Sequence, residues 1–229
     1  IPKRDWSSDV CSSDLHAIRF FDNHGMLGFG RFRWRTVTGG SRSYVDAIAA
    51  GLGDRLRLGR PVRSIRRGPD AVELRIGEGV ERFDSVVIAT HADQALALLE
   101  DPTAEERRVL GAFAYTTNEA VLHTDASFLP RSARARASWN YRLGDEGKPT
   151  ITYHLNRLQA LDARRDYCVT LNEQVADEHV LERFSYEHPL YTLDTVQAQE
   201  QLPRLATART LYAGAYFGNG FHEAGLASG

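Results

Sequence analysis

Cysteine is scarce in this chain of 229 residues: Cys11 and Cys168 are the only two. They form neither a disulfide framework nor a thiolate metal cluster, so a reducing cytoplasm is the expected compartment. An excess of either charge is also missing. Lys and Arg number 28 against 30 Asp and Glu, a formal net charge of −2, which gives no global attraction toward nucleic acid or an anionic membrane. No apolar run approaches a transmembrane span, and no signal peptide is readable. His123 with Asp125, and His179 with Glu178, lack a third ligand at metal-like spacing, so no metal is expected. The nucleophile-elbow and Ser-His-Asp signatures are absent, which argues against a hydrolase. No G-x-G-x-x-G follows a strand with an acidic residue beyond it, so the βαβ unit that grips a dinucleotide pyrophosphate is not in the sequence.

What is present is ordinary globular material, 42% hydrophobic and 25% charged, long enough for one large or two small domains. The first stretch, IPKRDWSSDVCSSDL, is different in texture. Its repeated SSD units closely resemble translated sequencing-adapter sequence. Ile1 to about Leu15 is therefore expected to be a non-native tail, with the true gene beginning upstream; a natural polar tail is the alternative, and both stay out of fold reasoning. From His16 aromatic and polar residues alternate, and Phe20, Phe21, Phe29, Phe32 and Trp34 suit a core or a cavity wall.

The next stretch carries more information. After Arg35, the pair Gly39-Gly40 punctuates the chain, Ser41 or Ser43 can cap, and Tyr44, Val45, Ile48 and Leu52 recur at helical spacing up to Gly51–Gly53. Short strands are expected at Leu56–Leu58 and Val62–Ile65, then at Val72–Ile76 before a turn at Gly77–Gly79. Val86 to Ala89 is an apolar run of the kind buried on both faces of a sheet, ended by Thr90. Helices follow at Asp93–Leu99 and after Thr103, where Thr103 and Glu106 have capping-box spacing. TTNEAVLHT, ASWNYRL, PTITYHLN and DYCVTLN then read as strands of an antiparallel sheet. Trp139, Tyr141, Tyr153 and His154 line a cavity if they face inward, and pack a core otherwise. A helix from about Thr195 to Gln201 leads back to the last strand.

The closing stretch, LYAGAYFGNGFHEAGLASG from Leu211, runs from a strand end through Gly214, Gly218 and Gly220 into a helix start. Glycines there allow close backbone approach, and the free N–H groups of a helix start suit an electron-rich ligand edge. A glycine-rich loop before a terminal helix, with no ligand, gives the same pattern.

This closing motif resembles the C-terminal flavin-contacting motif of the flavin-containing amine oxidase superfamily, which includes monoamine oxidases and phytoene desaturases. The order Arg, GG, helix, PV strand is similar to the same family. The resemblance implies FAD as cofactor. It implies Arg35, Gly39 and Gly40 at a helix beneath the cofactor, and Val62 offering backbone to the adenine. Thr90 is implied near the diphosphate, with a plain strand-end turn residue as the alternative. Gly214 is implied as the strand-end glycine, Phe221 as the aromatic facing the flavin-side cavity and His222 as the backbone N–H reaching the flavin carbonyl, with Glu223 completing the pattern beside Gly220. Ala215 stands where the family usually has an acidic residue.

The implied fold is α/β (α+β): a partial FAD-binding Rossmann-like domain plus a mixed or antiparallel-sheet substrate domain. Its expected boundaries are 1–15 tail, 16–34 substrate-domain segment, 35–92 FAD-binding part, 93–204 substrate domain and 205–229 FAD-binding part. The implied activity is that of a fragment of an FAD-dependent oxidoreductase acting on a small, apolar molecule. The helix start near His222 and Glu223 would stabilise negative charge on the flavin's pyrimidine edge. Neither nucleic acid nor a transmembrane segment is expected, and no catalytic acid or base is forced by the sequence. A non-catalytic binding or scaffold domain that kept the fold is the competing class.

Overall fold

The computed structural model describes Ile18, Phe21, Asp22, Leu27 and residues 35–143 and 149–229. The tail at 1–15 and most of the aromatic stretch at 16–34 lie outside the described residues; Phe21 within that stretch is 43% exposed. The chain divides into two compact units. The first takes in residues 57–115 and 189–229, and the second residues 33–56 and 116–188.

In the first unit, β1 (Val62–Arg67), β2 (Val72–Ile76) and β3 (Gly79–Phe83) form an antiparallel meander. The hairpin between β2 and β3 turns at Gly77, whose φ of 59° lies in the left-handed region that glycine enters without strain. Alternation along β2 buries Val72 and half-buries Leu74 and Ile76, while Arg75 is exposed. The expected strand at Leu56–Leu58 does not form: the chain there leaves a 3-10 turn at Gly53–Arg55 and bends at Leu58-Gly59. Glycines on both sides, Gly53 and Gly59, have left-handed φ and break any ladder.

Strand β4 (Val86–Ile88) pairs in parallel with β10 (Thr210–Tyr212), Val86 opposite Thr210 and Ile88 opposite Tyr212. Between them in sequence come α2 (Ala92–Leu98) and α3 (Ala104–Leu110), and just before β10 lies α5 (Leu193–Gln199). The expected helix at Thr195–Gln201 thus starts earlier, because Thr192 and Thr195 make a reciprocal capping box. The capping box expected at Thr103 and Glu106 is present. These elements close over a core of Ile65, Val72, Ile88, Val109, Leu110, Phe113, Leu202 and Tyr212, each fully buried aliphatic side chain contributing about 1.5–3 kcal/mol. Among the described residues of that unit, the ion pair most withdrawn from water is Arg67 with Glu106. Arg67 grips Glu106 with two bonds, of 2.5 and 3.0 Å, and the Tyr212 hydroxyl donates to the same carboxylate at 2.7 Å.

The apolar run at Val86–Ala89 is not buried on both faces. Ile88 points into the core, but Val87 is 56% exposed. Among the described residues β4 has one neighbouring strand, β10, and Val87 lines a cavity instead of packing into the core.

In the second unit, α1 (Arg42–Leu52) follows Gly39 and Gly40, both at left-handed φ. Its cap differs from the expectation: Ser41 makes no capping bond, and the Ser43 hydroxyl donates to the Gly40 carbonyl at 2.7 Å. The stripe of Val45, Ile48 and Leu52 is exposed rather than packed, and Tyr44 is half-buried. The expected antiparallel sheet is there, in five strands ordered β6-β7-β8-β5-β9. They are β5 (Tyr115–His123), β6 (Trp139–Leu143), β7 (Pro149–His154), β8 (Cys168–Leu171) and β9 (Val180–Pro189), with the short α4 (Leu155–Leu158) after β7. Trp139, at 43% exposure, and Tyr141, at 66%, are exposed. Tyr153 is half-buried, and His154 is buried with Nε2 bonded to Asp166 at 2.9 Å. The small Thr and Cys side chains of β7 and β8 fill the inner face, which leaves the edge-strand aromatics to solvent.

Candidate functional site

Parallel strands that end together present their carboxyl ends as one surface, the place where open α/β sheets bind ligands. Here β4 and β10 run in register, and the Ala213 N–H extends the ladder to the Ile88 carbonyl at 3.0 Å. Thr90 and Gly214 therefore emerge side by side. A β-carbon on Gly214 would lie 3.4 Å from the Thr90 carbonyl oxygen and only 2.5 Å from the Tyr216 ring. Its backbone is extended, with φ of 160°, so the need for glycine is steric.

The loop after Gly214 is held by its own chain. Ala215 opens a 3-10 turn to Phe217, and its carbonyl accepts from the N–H groups of both Gly218 and Gly220 at 3.1 Å. Gly220 has φ of 79°, and a β-carbon there would meet the Tyr191 hydroxyl at 2.7 Å. Phe221 caps α6 (His222–Ala227) without a side-chain bond and is 44% exposed; His222 and Glu223 follow in its exposed first turn. The structure thus brings Thr90, Gly214, Ala215, Gly220, Phe221, His222 and Glu223 into one strand end and loop. The glycines of that loop are required by packing against Tyr216, Tyr191 and, at Gly218, Ala224.

Val62 joins them through a cavity of about 590 Å³. It opens beside the exposed side of β4 and runs from Val62 and Arg63 past Val87 to Thr90, with Gln94 and Leu98 of α2 across from them. Its walls are mainly aliphatic, which suits a flat ring, with a guanidinium and an amide for polar contact. Arg35, Gly39 and Gly40 belong to the second unit, where the exposed Arg35 precedes the turn closed by the Gly40 N–H to Val37 carbonyl bond of 2.9 Å.

Several residues that shape the site gave no signal in the sequence. Gln199 Nε2 donates to the carbonyls of Tyr216 and Gly218 at 3.0 and 2.7 Å, tying the loop to α5. Ser228 Oγ accepts from the Gly214 N–H at 2.9 Å and donates to Gly225. The His91 and Tyr115 rings stack at 4.4 Å, while the Tyr115 hydroxyl accepts from the Ala92 N–H. Burial, together with Tyr115, pushes the Tyr191 hydroxyl up to about 12 and raises that of Tyr216 as well. Both stay protonated at neutral pH. A lone polar residue placed by tertiary contact has no period or spacing, so no pattern in the chain could have found them. Among the described residues no group of three His, Cys, Asp or Glu could hold a metal ion, and no helix is long and apolar enough to cross a membrane.

Comparison with known proteins fits this geometry. The cyclohexylamine oxidase of Brevibacterium oxydans IH-35A superposes with a TM-score of 0.60 at 13% identity, over 82% of this chain and 50% of that one. A fatty acid isomerase of P. acnes that produces CLA gives 0.56 at 14%, over 82% and 50%. A putative protoporphyrinogen oxidase of Exiguobacterium sp. 255-15 gives 0.53 at 15%, over 97% and 56%. The chain spans about half the length of these structures, and no curated protein matches it in sequence. Residues 5–211 match the family described as flavin containing amine oxidoreductase. With that match covering most of the sequence, the chain belongs to the flavin-containing amine oxidoreductase family, whose cofactor is FAD.

Proposed function

We propose that the chain works as part of a longer FAD-dependent oxidoreductase of amine-oxidase type that oxidises a small apolar molecule. Bound FAD supplies a two-electron acceptor for a hydride equivalent from a substrate C–H bond. The single observation that carries this reading is the alignment of Thr90 with Gly214 at the carboxyl ends of β4 and β10, next to the cavity that Val62 and Thr90 share. That cavity fits the group: its aliphatic walls take a flat ring, and Gln94 and Arg63 offer polar contacts beside it. In this reading Val62 and β4 hold the adenine side and exclude water from it, while Thr90 and Gly214 line the diphosphate path. Gly220, Phe221, His222 and Glu223 form the rim toward the redox ring through backbone N–H groups of α6. Because α6 has six residues, its contribution is one turn of donors and not a long helix dipole.

The fatty acid isomerase among the similar folds supports an apolar substrate. A second reading, a non-catalytic binding or scaffold domain, is favoured by Ala215, which puts a methyl group where the family usually carries an acid and whose carbonyl is spent on its own loop. Flavin-saturated protein mixed anaerobically with apolar amines and unsaturated lipids separates the two. Bleaching of the flavin absorbance by one of these compounds supports the oxidoreductase. Stable flavin binding without reduction by any of them supports the scaffold. Val62→Trp, which fills the cavity, is expected to lower FAD affinity at least tenfold, about 1.4 kcal/mol; unchanged affinity would remove the cavity from the cofactor site.

A further inference from the structure

The net charge of −2 hides an uneven distribution in the second unit. The antiparallel register sets Trp139 opposite Tyr153 and His154 opposite Cys168, so the start of β6, the end of β7 and the start of β8 lie at one end of the sheet. The loops entering β6 and joining β7 to β8 are therefore neighbours. Arg136 proves the contact, donating to Asp166 at 2.9 Å and to the Pro130 carbonyl at 3.1 Å.

Residues 129–138 and 155–167 together hold six arginines against Asp162 and Asp166. Asp166 is already engaged by Arg136 and His154. Arg131, Arg134, Arg157, Arg164 and Arg165 are exposed, and their side chains make no ion pair among the described residues. Beside them stand three apolar side chains in solvent: Trp139 at 43% exposure, Leu158 at 37% and Leu161 at 40%. The acidic residues of the same sheet end, Asp125, Asp177 and Glu178, gather at its other corner, where the Thr124 N–H meets the His179 carbonyl at 3.0 Å.

We infer that this arginine-rich end of the five-stranded sheet is a docking surface for an anionic lipid bilayer. The charge matches acidic headgroups, and guanidinium groups bond phosphate oxygens in two-bond fashion. The exposed Trp and Leu side chains choose between the two common polyanions. They enter the acyl boundary of a bilayer, where an aromatic ring and short aliphatic chains are favoured, whereas phosphates of a nucleic acid offer leucine nothing. Five unpaired cations with three apolar side chains combine the two attractions that reversible surface binding needs. The inference does not depend on the flavin reading, since none of its residues belongs to that site.

Sedimentation of the full chain with vesicles tests it. Binding is expected to vesicles of phosphatidylcholine mixed with phosphatidylglycerol and to fall with added salt, with little binding to pure phosphatidylcholine. Arg164→Ser with Arg165→Ser should lower the partition by about twenty-five-fold, at about fivefold per arginine. Leu158→Ser with Leu161→Ser should weaken it while leaving the salt dependence as it was. Arg75→Ser, on the exposed side of β2, should change nothing, and all these residues are exposed, so the fold is retained. Equal binding to both vesicle types, equal loss in Arg75→Ser, or a single-stranded oligonucleotide binding more tightly than the anionic vesicles would overturn the inference.

Discussion

In the first unit most side chains shut away from water are aliphatic and aromatic, from Ile65 and Val72 to Leu110, Leu202 and Tyr212, with Thr195, Thr210 and one charged pair set among them. At the centre of the second unit's sheet the fully buried side chains include His123, Thr152 and Thr170, joined in a row: His123 Nε2 to Thr170 Oγ1 at 2.8 Å, and Thr170 Oγ1 to Thr152 Oγ1 at 2.9 Å. The Asp125 N–H donates to His123 Nδ1 at 3.1 Å, which places the ring proton on Nε2. The first unit thus draws on burial of apolar area and is sensitive to loss of volume. The second draws on satisfied polar groups, worth less each but costly when one partner is removed.

The largest expected effect lies at the charged pair. Glu106→Ala leaves the Arg67 guanidinium buried without its main partner and should cost about 3–5 kcal/mol in urea unfolding. Replacing the group together, Arg67→Met with Glu106→Leu and Tyr212→Phe, should recover most of that loss; no recovery would mean that the pair stabilises beyond its mutual satisfaction. Acid tests the same pair without mutation. Burial alone would raise the Glu106 carboxyl, but bonds from Arg67, Tyr212 and the Thr103 N–H outweigh it and hold it at about 2, below the ordinary 4.5. Its folded value is depressed, so its contribution, about 3 kcal/mol, is present above pH 4.5 and lost as pH falls from there toward 2.

Leu110→Ala, in the middle of the apolar cluster, should cost about 3 kcal/mol by lost transfer energy and residual cavity. A loss below about 1 kcal/mol, by the scale of large-to-small changes, would show that the core collapses around the gap. Thr170→Val should cost less, about 1–3 kcal/mol, because it keeps the shape and strands the His123 N–H and the Thr152 hydroxyl. If Thr170→Val proved harmless, the polar row would be incidental to the second unit.

The smallest effect sharpens the contrast most. Burial lowers the pKa of His123, opposed by nearby Asp125 and assisted by His179. A base whose folded pKa is depressed contributes stability above its unfolded value, 6.5, and loses it as pH falls below that. The second unit should therefore loosen at a higher pH than the first, whose loss begins near 4.5. Hydrogen exchange read by mass spectrometry across this range should show β5 and β8 opening before β4 and α3; simultaneous opening would defeat the distinction.

Much of the fold could be read along the chain because it is written in local terms. The capping box at Thr103, the hairpin glycine at Gly77 and the alternation of β2 each depend on residues a few positions apart. The closing motif was legible for the same reason, since glycines at fixed spacing after an apolar strand mark a loop whatever lies around it. Their cause was less legible: Gly214 is glycine because the Tyr216 ring lies against it, a contact no spacing announces. The burial of Val86–Ala89 was misjudged because composition records how apolar a strand is and not how many strands flank it.

The sequence by itself determined most of the elements and their order, which follow from periodicity and turn residues, and it carried the resemblance that pointed to the family. Tertiary structure alone decided that Thr90 meets Gly214 across 124 positions of chain and that Gln199 and Ser228 hold the loop between them. It also decided that arginines from two separate loops share one end of a sheet. Strand pairing joins residues by register, with no trace of the partner in either strand's own composition, so those neighbours exist only once the chain has folded.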